Sequence, residues 1–268
     1  MKGLIHMPWT NKPAIDDQFL EVGLEAVKQA EELILRYFHS QLKVKLKTDN
    51  SPVTQADKEA ENLIKKVISN KFPDHGFLGE EEGKTKITSK YFWVIDPIDG
   101  TKNFIRGLPH FATLLALIEN QQVTLGISNA PAFKELIYAV AGKGCFFNGQ
   151  KINVSKVNKL SEAYLSIGGI YRFDTQGLTE NIMKLSHIPR QVRAWGDAWH
   201  FHLLAQGKID IVIEPFGNFW DFAPYITIVE EAGGKVTDLT GQTLTPESNS
   251  IIATNGLFHD EVVEYFKK

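Results

Sequence analysis

The stretch "WVIDPIDGTKNF", residues 93–104, places Asp96 and Asp99 at the end of an apolar run. An unpaired carboxylate beside Trp93, Val94 and Ile95 is costly, so these acids need a partner. Pro97 carries no N–H and interrupts a regular strand, so a turn is expected directly after Ile95. Such a turn lets Asp96 and Asp99 face one point. Gly100 permits close backbone approach, and "TKNF" can open a short helix whose free amides suit an anion. Two carboxylates beside an amide nest repel a phosphate on their own. With Mg2+ between them the arrangement becomes favourable. The alternative is an Asp-rich turn in which Asp99 or Thr101 only caps a helix.

Three further acidic segments bear on that choice. "FLGEEEG" sets Glu80, Glu81 and Glu82 after an apolar pair, upstream of the aspartates, and Glu81 and Glu82 read as a solvated loop. "SPVTQAD" puts Thr54 and Asp57 at a helix start, where plain capping would also account for them. "FWDFAPYITIVEEAGG" opens with Asp221 ahead of an apolar helix, and an acid there is favourable with the helix dipole even without another role.

The totals bound the partners. The chain has 268 residues, 43% hydrophobic and 23% charged, which is enough apolar material for a sizeable core. A formal net charge of −3 leaves no basic footprint for nucleic acid. Any phosphate site must therefore rest on local cations. Cys145 is the single cysteine, which excludes an internal disulfide and a cysteine-cluster metal site and suits a reducing compartment. The N-terminus lacks the apolar core of a signal peptide, and no apolar run is long enough to span a bilayer. A cytoplasmic protein is expected.

Periodicity gives the elements. Phe19, Val22, Ala26, Val27, Ala30, Leu33, Ile34 and Tyr37 predict an amphipathic helix over 16–39. "LKVKLK" alternates as an exposed strand does, and a second helix runs from about Asp57 to before Pro73. Strands follow at "YFWVI", "FATLLALI", "VTLGISN", "ELIYAVA" and "CFF", with a hairpin turn at "NGQ". Beyond Ser161 the pattern predicts a strand at "AYLSIG", a helix over 177–186 and a strand at "QVRAW". A helix from about Asp197, a strand at "IDIVI" and a helix from about Trp220 come next. Strands near "GKVTD" and "SIIAT" and a last helix over 257–267 complete the chain. This mixture reads as layered α/β or α+β. Residues 1–268 form one domain on this reading, its two halves meeting near residue 155 and sharing one site.

Taken together, "GEE" at 79–81, "DPIDGTKNF" at 96–104, "WDFAPYITIVEEAGG" at 220–234 and "SPVTQAD" at 51–57 resemble the inositol monophosphatase family of Mg2+-dependent, Li+-sensitive phosphatases. The resemblance spans essentially the whole chain. It implies a layered αβαβα fold, often a homodimer, with a small phosphomonoester as substrate and no nucleic-acid or membrane partner. It implies that Glu80, Asp96, Asp99 and Asp221, with the carbonyl of Ile98, hold about two or three Mg2+ ions. It implies further that Asp57 and Thr101 orient the attacking water with Glu80, and that the Gly100 and Thr101 amides hold the phosphate. Asp99 and Asp221 then also face the substrate. His75, His110, His187, His200 and His202 remain structural or surface residues. A non-catalytic relative would lack a metal carboxylate, and all four are present.

The second half bears on the leaving group. Gly196 is followed by Asp197, Ala198 and Trp199, where the inositol-specific branch has small neutral residues. This, with "APA" at 130–132, looks like the histidinol-phosphatase branch. Histidinol phosphate carries an ammonium group, and a carboxylate is a sensible partner for it. Glu214 and Arg193 match substrate-contacting residues by the same resemblance. Asp197 as a helix cap and Arg193 as half of a surface ion pair are the alternatives. A nucleotide-phosphatase branch usually has Gly-Ser-Ser in place of "WGDAW", and fructose-1,6-bisphosphatase would use the same metal site. The function expected is histidinol-phosphate hydrolysis, with inositol-1-phosphate or broad sugar-phosphate hydrolysis as the runner-up.

Overall fold

The computed structural model describes residues 17–38, 44–46, 52–86 and 88–267. In chain order the first half gives α1 (Asp17–Phe38), β1 (Val44–Leu46), β2 (Pro52–Thr54), α2 (Gln55–Lys71), β3 (Gly76–Gly79), β4 (Gly83–Thr85) and β5 (Tyr91–Asp99). It continues with α3 (Thr101–Phe104), β6 (Ala112–Glu119), β7 (Gln122–Ala130), β8 (Glu135–Val140), β9 (Gly144–Phe147) and β10 (Gln150–Ile152). The second half gives β11 (Tyr164–Ile167), α4 (Ile170–Thr175), α5 (Thr179–Ser186), β12 (Gln191–Arg193), α6 (Asp197–Ala205) and β13 (Ile211–Glu214). It ends with α7 (Phe219–Glu231), β14 (Lys235–Thr237), β15 (Ile251–Thr254) and α8 (His259–Glu264).

An eight-stranded sheet runs β10-β9-β8-β7-β6-β5-β3-β4, and a five-stranded sheet runs β12-β11-β13-β15-β14. The first is antiparallel except for β3 beside β5, and the second joins β11 in parallel to both β12 and β13. Side-chain alternation decides the layers. Trp93, Ile95, Leu115, Leu117 and Ile127 pack with Val27, Ile34 and Ile64 of α1 and α2. Val94, Leu114, Ala116 and Ile118 point the other way, onto Phe222, Ile226 and Val229 of α7 and Leu204 of α6. In the second sheet Val212, Ala253 and Ile251 join that same middle cluster, whereas Ile211, Ile213 and Ile252 pack with Ile182 and Val262 of α5 and α8. The order is helix, sheet, helix, sheet, helix, so the αβαβα architecture holds. Helices α6 and α7 are its middle layer. Gly126 on β7 is what lets α7 lie so close, because a Cβ there would come within 2.1 Å of the Pro224 carbonyl oxygen.

Several expectations need correction. The chain does not leave the sheet after Ile95, because β5 continues to Asp99 through a bulge between Asp96 and Asp99. Pro97 and Ile98 together face Thr113, whose hydroxyl donates to the Pro97 carbonyl at 2.9 Å. The missing proline N–H is absorbed by an irregularity in the ladder. The helix expected over 177–186 begins at Thr179, and a separate short helix, α4, precedes it. The last helix ends by Glu264. Helix α2 begins at Gln55, and β3 and β4 flank the glutamates that read as loop alone. Of "LKVKLK", only 44–46 falls within the described residues. The "NG" turn stands as expected, with Asn148 and Gly149 at positive φ between paired Phe147 and Gln150. No helix among the described residues is long and apolar enough to cross a membrane.

Candidate active site

The bulge in β5 sets the first carboxylates. Asp96 shares the parity of Val94 and so faces the middle layer, where α7 begins. The bulge reverses the next position, and Ile98 packs its side chain into the α1/α2 core. Asp96 Oδ1 accepts the Ile98 N–H at 3.0 Å. Its carboxyl stands among those of Glu80, Asp99 and Asp221. Burial pushes Asp96 well above the usual carboxylate range, and the charges of Glu80, Asp99 and Asp221 push it further. Asp99 is raised well above that range by burial and then by Asp197 and Asp221.

Gly100 takes the turn that Pro97 does not. Its φ of 84° is left-handed, and a Cβ would lie 2.6 Å from the His110 carbonyl oxygen. The Thr101 hydroxyl donates to the Ile98 carbonyl at 2.9 Å and lies 3.3 Å from Asp57 Oδ1. Asp57 Oδ2 accepts both the Thr54 N–H and the Thr54 hydroxyl, at 2.7 and 2.6 Å, in a capping box. Asp57 is therefore a cap and a neighbour of Thr101 at once. Burial raises its pKa.

Glu80 follows β3, its N–H donating to the Ile95 carbonyl at 3.1 Å. The loop is held by a residue that sequence reasoning passed over. Glu61 is buried on α2, accepts the N–H groups of Glu81 and Glu82 at 2.8 and 3.1 Å, and pairs with Lys65 at 2.6 Å. Nothing in its helical spacing separates it from a surface glutamate.

The second half closes the cluster. Asp221 caps α7, its Oδ2 accepting the Asn218 N–H at 2.8 Å, and burial raises its pKa to about 7. Glu214 ends β13, where burial pushes it up to about 8. Arg172 of α4 stands 3.6 Å from Glu214 Oε2, and that oxygen has no hydrogen-bond partner. Asp197 opens α6 with a left-handed φ of 48°, and its Oδ2 accepts from Asn103 Nδ2 at 2.6 Å. Burial raises it too, against the nearby charge of Arg172. The Ala198 backbone N–H works against the rise at Asp99. A cavity of about 40 Å3 joins Asp99, Asp197, Glu214 and Asp221 with Arg172, Phe201 and Phe222. Gly196 supplies the turn before Asp197, with φ 65°.

Arg193 is not brought into this cluster. It is exposed on β12, where its guanidinium donates to the neighbouring Val192 carbonyl at 2.9 Å. The cation that faces the acids is Arg172, which sequence reasoning missed. A larger groove of about 590 Å3 lies between α1 and α2, lined by Glu21, Glu25, Lys66 and Lys71, but it gathers no cluster of carboxylates.

Among the described residues, no three acidic, histidine or cysteine side chains are placed so that they could hold a metal ion as they stand. The donors nevertheless fit a hard cation. They are all oxygens, and a divalent ion would relieve the mutual repulsion of their charges. Burying even one ionised carboxylate costs on the order of several kcal/mol, so the cluster is favourable only when protonated or cation-bound.

Comparisons with known proteins identify the family of this chain. The sequence model of the inositol monophosphatase family matches residues 15–268. A histidinol-phosphatase of Mycobacterium tuberculosis is 37% identical over 254 residues, covering 92% of this chain and 96% of that protein. A fructose-1,6-bisphosphatase/inositol-1-monophosphatase of Thermotoga maritima is also 37% identical, over 91% of this chain and 94% of its own length. A solved inositol monophosphatase structure from Thermotoga maritima superposes with a TM-score of 0.84 at 36% identity, covering 93% of this chain and 96% of that one.

Proposed function

The chain belongs to the inositol monophosphatase family and is a metal-dependent phosphomonoester hydrolase, and from that premise we propose that its substrate is histidinol phosphate. The observation that carries this reading is the surplus of carboxylate at the leaving-group side. Glu214 Oε2 is buried without a hydrogen bond, and Asp197 stands beside the same cavity. One guanidinium, that of Arg172, does not balance Asp197 and Glu214 together. An ammonium on the leaving group would supply a positive charge and three donors.

Glu80, Asp96, Asp99, Asp221 and the Ile98 carbonyl would hold about two or three Mg2+ ions. When bound, Mg2+ supplies Lewis acidity to the phosphoryl oxygens and acidifies a water. The remaining work falls to the chain itself. Glu80 takes the proton of the attacking water. Thr101, its hydroxyl fixed by the Ile98 carbonyl and adjacent to Asp57, orients that water from the other side. The amides of Gly100 and Thr101 begin α3 and hold the phosphate as it gains charge. Asp197 and Glu214 hold the leaving group. The two halves of the chain then act as one catalytic unit, which we place in a cytoplasmic homodimer as the family resemblance implies.

A second reading has support of its own, because the Thermotoga maritima fructose-1,6-bisphosphatase/inositol-1-monophosphatase is as similar as the histidinol-phosphatase. Phosphate release from histidinol phosphate and inositol 1-phosphate, measured in parallel with Mg2+ and with EDTA, separates the two. Histidinol phosphate is expected to show the higher kcat/KM, and EDTA to abolish both activities. Asp197→Asn keeps a residue that tolerates left-handed backbone and removes only the charge. It should cost histidinol phosphate about ten- to a hundredfold in kcat/KM and inositol phosphate little. Equal losses on both esters would reduce Asp197 to a helix residue and favour the second reading.

A further inference from the structure

Behind the site lies a buried polar chain that the chemistry above does not use. Ser128 of β7 and His202 of α6 are fully buried, with Ser128 Oγ 2.7 Å from His202 Nε2. His202 Nδ1 lies 3.1 Å from Glu135 Oε2 at the start of β8. On its other side Ser128 Oγ is 2.9 Å from the Tyr225 hydroxyl, and that hydroxyl is 3.4 Å from the Ala198 carbonyl.

With a neutral His202 ring the protons have one consistent arrangement. An ionised carboxylate only accepts, and the hydrogen bond from His202 helps to hold Glu135 below its ordinary range. His202 Nδ1 therefore carries the proton, and Nε2 accepts from Ser128. Ser128 has one proton to give, so its oxygen receives the proton of Tyr225. Every donor points the same way, from α7 through β7 to α6 and out to β8.

The ends of this chain are what matter. Tyr225 sits one turn beyond Asp221 on α7, and its ring stacks on Phe201 of α6 with centroids 4.1 Å apart. The Tyr225 hydroxyl lies 3.4 Å from the carbonyl of Ala198, the second residue of α6. Its neighbour is Asp197. We propose that Glu135, His202, Ser128 and Tyr225 form a positioning relay that fixes α6 against α7 and β7, and through α6 the Asp197 carboxyl, which shares a cavity with Asp99. None of the four is placed to touch substrate. The relay rests on that cavity lying at the reacting centre; only its effect on KM depends on the choice of ester.

The test uses the full chain. Tyr225→Phe removes one hydroxyl and keeps the stacked ring, and Ser128→Ala breaks the relay in the middle. Each should lower kcat about fivefold on both histidinol phosphate and inositol 1-phosphate, the size of one lost hydrogen bond. KM should rise only for the cationic ester, through Asp197. Glu135→Ala should reproduce a smaller loss, and Glu135→Gln, which keeps an acceptor for Nδ1–H, should restore it. Independent of turnover, 15N shifts of His202 should report a neutral Nδ1–H ring in the wild-type protein and a mixed tautomer in Glu135→Ala. Asp99→Asn serves as the control. If Asp99→Asn is inactive while Tyr225→Phe and Ser128→Ala keep wild-type kcat and KM and only melt lower, the relay is structural and the proposal fails. An Nε2–H ring in the wild type would overturn it as well. An active Asp99→Asn would remove the assignment on which it rests.

Discussion

Glu80, Asp96 and Asp99 reach the cluster from the ends of two adjacent parallel strands, whereas Asp197 and Asp221 reach it from the first turns of two helices. Strand ends are fixed by the ladder itself. Ile95 pairs with Leu115 and accepts from Glu80, and a single bulge then sets where Asp96 and Asp99 point. Helix ends depend on how α6 and α7 lie on the sheet, which the packing of distant residues decides. On the function proposed above, the strand side would be the rigid frame for phosphate and cation, and the helix side the place where the leaving group is met.

The sharpest way to break this comparison is Asp99→Asn. Removing a carboxylate from the strand side should lower kcat on the order of a thousandfold on every ester. The variant should stay folded, and it should melt no lower than the wild type in the absence of Mg2+, because a crowded acid has been made neutral. Near-normal kcat would detach the strand acids from catalysis altogether.

A second test sharpens the electrostatic side. Burial raises Asp221 to about 7 and Glu214 to about 8 in the folded chain, far above an unfolded carboxyl. Between about pH 4 and pH 8 the folded state therefore binds more protons than the unfolded state, and stability must fall as pH rises through that window. With EDTA, Tm should decline from pH 5 to pH 8. Mg2+ should reverse the decline most strongly at the alkaline end, because it binds the deprotonated folded form. A Tm that rises with pH in EDTA would mean that the acids are not crowded.

These contrasts track what a sequence can carry. "DPIDG" was legible because Pro97 and Gly100 constrain the backbone locally, and the "NG" hairpin and the Thr54–Asp57 cap for the same reason. The alternation that sends Trp93 and Val94 to opposite layers was legible from its period. The bulge was not, since a proline in a strand signals interruption without saying whether the chain turns or only slips register. Nor were the partners set by long-range packing. Asn103 meets Asp197 across 94 residues of sequence, and Glu61 meets the Glu81 amide across 20. Arg172 sits in a six-residue helix too short to show a period.

Glu61 gives the next, smaller effect. Glu61→Gln keeps an oxygen for one amide, loses the pair with Lys65 and loosens the turn that carries Glu80. Residues that orient a ligand from behind are typically worth about ten- to a hundredfold, and the retained acceptor places this variant at about tenfold in kcat. Mg2+ affinity measured by calorimetry should weaken alongside. A change in Tm with kinetics and Mg2+ binding intact would confine Glu61 to the fold.

The smallest expected effect falls on the residue that sequence reasoning favoured. Arg193→Ala removes an exposed side chain bonded only to its neighbour's carbonyl, so kcat/KM should stay within about twofold and Tm should hardly move. Arg172→Ala is the contrast. Its guanidinium donates to the Phe216 carbonyl at 2.8 Å and to the Tyr171 hydroxyl at 3.3 Å while standing 3.6 Å from Glu214. Its loss leaves a buried acid with no cation beside it, which should cost about tenfold or more in kcat/KM. If Arg193→Ala instead matched Arg172→Ala, the effect would have to come from outside this chain's own cluster. A second copy of the chain would then be presenting Arg193 to the site, and the loss should vanish under conditions that keep the protein monomeric.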